Sequence, residues 1–133
     1  LFKGVAATIN MEKEIERVED ITLLVNTFYD KIRKDELLSP VFNAIIKDWE
    51  PHLEKMIQFW STLLLYTRTY KGDPLPSHLP LKVDKAHFDR WLLLFNQTVD
   101  ELFTGEIASN AKKRAFSIAR IMKAVKQIPE EKL

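Results

Sequence analysis

Apolar residues recur along this chain with the period of a helix. In EDITLLVNTFYDKIRKD, residues 19–35, Ile21, Leu24, Val25, Phe28 and Ile32 fall three and four positions apart, the spacing that lines one face of a helix. Ser39-Pro40 is expected to stop this segment, because a residue before proline is pushed out of the helical region. A short apolar piece, PVFNAII, follows. In EPHLEKMIQFWSTLLLY, residues 50–66, His52 stands in register with Met56, Phe59, Trp60 and Leu63, and Pro51 suits the first turn of that helix. Residues 67–83, rich in proline, break the pattern. Asp84 is then a candidate N-cap for a stripe of Phe88, Trp91, Leu92, Phe95, Val99 and Leu102 that Thr104-Gly105 closes. The last segment carries Ile107, Ala111, Ala115, Ile118, Met122 and Val125 before Pro129. No stretch alternates as a half-buried strand would. The pattern predicts an all-α single domain over residues 1–133.

Composition narrows the chemistry. The chain has 133 residues, 46% hydrophobic and 29% charged, enough to bury one core without a covalent staple. It has no cysteine, which removes disulfides, thiol catalysis, cysteine zinc sites and iron–sulfur clusters, and suits a reducing cytoplasm. A net charge of +1 gives no field for nucleic acid or an anionic membrane. The basic stretch AKKRAFSIARIMKAVK places its cations late in the last helix, where they complement the dipole. The longest apolar run, LLL, is too short to span a bilayer, and no signal-peptide pattern opens the sequence. Neither a Glu-x-x-His pair nor a P-loop, G-x-S-x-G or H-E-x-x-H motif is present.

Three polar-tipped side chains fall where an apolar core would not choose them. Tyr29 follows Phe28, His52 heads the second stripe, and Trp91 lies within the third. Each is read either as core packing with its donor satisfied or as the wall of a lined pocket. His78 lies in the proline-rich break and is read either as an exposed loop residue or as a metal ligand. One imidazole cannot hold an ion tightly, but a macrocycle that supplies four nitrogens needs only one axial histidine. His87, three residues after Asp84, reads as a surface or capping residue.

VNTFYDKIRKDELLSPVF, DWEPHLEKMIQFWSTLLL, YKGDPLPSHLPL and HFDRWLLLF occur in the order and spacing of the truncated globins of the third group, and the chain resembles that family over residues 18–125. The scarcity of glycine agrees, since the other two groups tend to carry Gly-Gly motifs. The resemblance implies a globin-like two-over-two helical sandwich around haem b. His78 matches the family's proximal ligand to iron. Tyr29, His52 and Trp91 match its distal positions, with His52 either a gate or a hydrogen-bond partner. Phe42 matches the phenylalanine packed on the haem, Lys55 a basic residue able to reach a propionate, and Met56, Phe59 and Trp60 pocket walls.

The function this implies is binding of O₂, NO or CO at a five-coordinate iron. Tyr29 and Trp91 are the expected donors to a ligand that gains negative charge. An NO dioxygenase or peroxidase-like activity is the alternative, and with no flavin or nicotinamide motif in the chain it would need a separate reductase. A cytoplasmic monomer without nucleic-acid or membrane partners is expected.

Overall fold

The computed structural model describes residues 13–70, 83–126 and 128. Among these it contains five helices: α1 (Val18–Lys34), α2 (Ser39–Ile45), α3 (Trp49–Leu65), α4 (Lys85–Leu102) and α5 (Glu106–Val125). No named strand occurs among the described residues, and a single isolated bridge pairs Glu14 with Thr104. Helix α1 packs on α3, α4 packs on α5, and α1 also packs on α4. Two helix pairs therefore meet face to face, as the two-over-two expectation requires. No helix among the described residues is long and apolar enough to cross a membrane.

Helix α1 supplies the centre of the core. Ile21, Leu24, Val25, Phe28 and Ile32 are all buried, so the first stripe reads as expected. Its start is held by Asp20 in the first turn, which accepts the backbone N–H groups of Glu16 at 2.8 Å and Arg17 at 3.0 Å and pairs with Lys13. Carboxylate oxygens there satisfy donors that a helix start leaves open. Burial alone would raise the Asp20 pKa, but Lys13 and the two N–H groups outweigh it and hold the carboxyl below its ordinary value.

The first helix does not run to Ser39-Pro40. It ends at Lys34, because Asp35 takes an extended conformation. Ser39 and Pro40 instead open α2, with the proline in the first turn where its missing N–H costs nothing. The turn between them is organised by Asp35, whose carboxylate accepts the N–H groups of Leu37 at 3.1 Å and Leu38 at 3.0 Å and the Arg90 guanidinium at 2.6 Å. Arg90 lies on α4, so this carboxylate ties the α1–α2 turn to the third stripe. Thr104-Gly105 likewise proves to be an opening as well as an end. Helix α4 stops at Leu102, and Gly105, with φ +99°, is the N-cap of α5. Only glycine accepts that φ cheaply, and an added Cβ would stand 2.6 Å from Glu14 Oε1.

On α5, Ala108, Ala111, Ala115 and Ala119 form a buried seam of small residues, and α5 packs on α4. Small side chains let the two helices approach closely. Asp84 caps α4 as expected, its side chain accepting the Ala86 N–H at 3.0 Å.

Candidate functional site

A cavity lies between the helix pairs, lined by Tyr29 of α1, Leu38, Phe42 of α2, Met56, Phe59 and Trp60 of α3, Val83, and residues of α4 and α5. The space between its walls is about 740 Å³, part of it open to solvent. The floor on α5 is made by Ile118, Ala119 and Met122, where the small side chain at 119 keeps the space clear.

Tyr29 is 5% exposed and stands in the wall of this cavity. Burial pushes its phenol well above the ordinary tyrosine value, so the hydroxyl keeps its proton and remains a donor. Its ring is held at 5.0 Å from Phe28 and 5.2 Å from His52, both in edge-on contact. Trp91 comes from α4 and lines the same cavity. It stacks on Phe95 at 5.8 Å with the planes 12° apart, and Phe28 meets it edge-on at 5.6 Å. Phe95 in turn stacks on Trp60 at 4.8 Å. Such ring pairs contribute about 0.5–1.5 kcal/mol each beyond their buried area. The phenol and the indole are thus set in a stiff aromatic frame rather than on mobile side chains.

Of the nine residues singled out from the sequence, Tyr29, Phe42, Met56, Phe59, Trp60 and Trp91 meet in this one wall. His52 does not belong to the wall. It packs behind Tyr29, with Trp49 at 5.7 Å on another side. Lys55 is exposed on α3. His78 lies outside the described residues.

Seven lining residues are not among those nine: Leu38, Val83, His87, Phe88, Ile118, Ala119 and Met122. Leu38 is 1% exposed and reaches the cavity from a turn that carries no periodic signal. Ile118 and Met122 belong to the last stripe, where helical period gives the buried face but not what lies opposite, and Ala119 falls outside that stripe. His87 is the capping residue expected, its Nδ1 lying 3.1 Å from the Asp84 backbone N–H and 3.0 Å from Asp84 Oδ1. It also lines the cavity, because the first turn of α4 borders it. The His87 ring, with a smaller part for the Ala86 N–H, lowers the Asp84 carboxyl pKa.

The cavity wall is largely apolar and aromatic, with the polar-tipped side chains of Tyr29 and Trp91 set in it. Residues 13–127 match the family model of the bacterial-like globins. The chain is a truncated globin. It is 35% identical over 114 residues to the group 3 truncated hemoglobin ctb of Campylobacter jejuni, spanning 82% of this chain and 90% of that relative. The group III truncated hemoglobin structure from the same organism superposes with a TM-score of 0.78 at 34% identity, covering 86% of this chain and 94% of that one. A group II truncated hemoglobin from Bacillus anthracis gives a TM-score of 0.72 at 27% identity, covering 88% and 90%. A thermostable hemoglobin from Thermobifida fusca gives 0.65 at 26%, covering 79% and 89%. Membership of the truncated globins carries a haem-binding function, and the apolar, aromatic wall of this globin's cavity is chemically suited to a porphyrin.

Proposed function

We propose that this truncated globin holds haem b in the cavity, with His78 as the proximal ligand to iron, and binds a diatomic gas: O₂, NO or CO. The observation that carries the reading is the pairing of Tyr29 and Trp91, two donors fixed by one aromatic cluster in the wall of an apolar cavity. When bound, haem supplies an iron with one position open to a small ligand.

The chain's own residues do the rest. Phe42, Met56, Phe59 and Trp60 exclude water from the macrocycle's faces and edges, and the methionine thioether adapts to its outline. Lys55, exposed on α3, offers an ammonium to a propionate. Tyr29 Oη and Trp91 Nε1 donate to the negative charge that a polarised ligand develops. Hydrogen bonds to charged groups contribute about 1.5–3 kcal/mol each. Two together retard ligand release by roughly a hundredfold to several ten-thousandfold, at about 1.4 kcal/mol per factor of ten. His52 stands beside Tyr29 and acts on the route to the ligand or on the phenol.

Such retention suits holding O₂ while a second molecule reacts, and conversion of NO to nitrate is the alternative reading. That activity takes electrons from a separate reductase. The cysteine-free sequence suits work in the cytoplasm. The test is His78→Ala: stable haem uptake, read as the ratio of haem absorbance to protein absorbance, should be lost. A variant with full haem content would refute the proximal assignment.

A further inference from the structure

Trp49 opens α3 and His52 follows one turn later, so their side chains share a face. With Tyr29 they make a closed triangle of rings. The centroids are 5.2 Å apart for Tyr29 and His52, 5.7 Å for Trp49 and His52, and 6.0 Å for Tyr29 and Trp49. Both contacts of His52 are edge-on, at 89° and 88°. The Arg33 guanidinium lies over the Trp49 ring, 4.7 Å from its centroid, and the indole N–H donates to Asn43 Oδ1 at 3.3 Å. Tyr29 lines the cavity, while Arg33 is exposed. Arg33, Trp49, His52 and Tyr29 therefore form a layered series of contacts running from solvent to the cavity wall.

The start of α3 borders this series. Its N-cap, Asp48, makes no side-chain capping bond, so the first turn lacks the usual anchor of a helix end. The Trp49 ring is held instead from α1 by Arg33 and from α2 by Asn43.

We infer that Trp49, latched by Arg33 and Asn43, is a positioning residue that holds the His52 ring against Tyr29 and thereby sets how fast a diatomic ligand enters the cavity. The inference rests on the haem reading above. For the imidazole to swing outward it must leave its edge contact with Trp49, and Trp49 can follow only by leaving the guanidinium. The Trp49–His52 ring contact and the Arg33–Trp49 cation–π contact together contribute about tenfold to the population of the closed arrangement. Ligand entry passes through the minor, open arrangement, so its rate scales with that population. Release is governed chiefly by the donors Tyr29 and Trp91, which the latch does not replace.

The test is flash photolysis of the ferrous CO complex of the haem-loaded protein, with O₂ dissociation measured alongside. Trp49→Ala should speed CO association by about tenfold while changing O₂ dissociation by much less. Trp49→Phe keeps a ring edge against His52 and should restore a rate near that of the unmodified protein. Arg33→Met, at an exposed position that burdens folding little, should speed association by about threefold. Association unchanged in both Trp49→Ala and Arg33→Met would overturn the inference, as would equal acceleration of association and dissociation, which marks a general loosening of the pocket. Failure of the haem reading is a separate result: the unmodified protein would then show no CO-sensitive haem band at all.

Discussion

Tyr29→Phe removes one oxygen atom and leaves the ring where it is. The ring's contacts with Phe28, Phe42 and His52, at 5.0, 6.3 and 5.2 Å, are available to either side chain. The substitution therefore isolates the donor. A hydrogen bond to a charged acceptor contributes about 1.5–3 kcal/mol, so its loss should speed O₂ dissociation by roughly 10- to 150-fold. Stopped-flow replacement of O₂ by CO reads this rate directly. The same assay carries a pH signature. Burial raises the Tyr29 pKa above its ordinary 10.0, so the donor survives where an exposed tyrosine would ionise. Dissociation through this residue should stay level from about pH 6 to about pH 10. Trp91→Phe probes the second donor, and the double variant shows whether the two act as one network. A Tyr29→Phe rate within about twofold of the unmodified protein, below what one charged hydrogen bond supplies, would remove the phenol as a donor. A rise centred near the ordinary tyrosine value would show that the phenol is not sealed in the wall.

Two further outcomes concern the scaffold. Burial alone would raise the Asp35 pKa, but Arg90 and the Leu37 and Leu38 N–H groups hold its carboxyl below the usual range. The stability it adds is therefore present above about pH 4 and lost as pH falls through the folded value. Asp35→Asn should flatten the acid limb of a pH–stability curve measured by urea unfolding, and an unchanged limb would contradict the tie between the α1–α2 turn and α4. Gly105→Ala forces a side chain onto φ +99° and toward Glu14, which should cost about 1–3 kcal/mol. A shift in urea midpoint worth less than about 0.5 kcal/mol, the scatter of ordinary surface changes, would argue against that geometry.

Much of the architecture was legible because it rests on local periodicity. The stripe of α1 and the Asp84 cap depend on residues within one or two turns of each other, and both appear where the spacing puts them. Ser39-Pro40 reads as a stop because a proline ends one helix and begins another with the same chemistry, whereas α1 ends at Lys34, where Asp35 turns extended and accepts the Leu37 and Leu38 N–H groups. The bridge between Glu14 and Thr104 joins segments 90 residues apart with no repeat to announce it. At the site, helical register puts Met56, Phe59 and Trp60 on one face, but it gives direction and not depth. His52 shares that register and yet packs behind Tyr29, since the first turn of α3 lies beside α1 rather than over the cavity. The spacing of His87 from Asp84 reveals the cap and is silent about the cavity beside it. Trp49 carried no signal, because its role arises from three helices meeting at one ring.

The central claim is that the cavity holds haem with a position open to a gas. The most direct measurement is the visible absorption spectrum of the purified protein, supplied with haemin if needed, in the oxidised, reduced and CO-saturated reduced forms. The account predicts one strong Soret band per chain that shifts cleanly when CO is added. A colourless protein that leaves the haemin spectrum unchanged would contradict it.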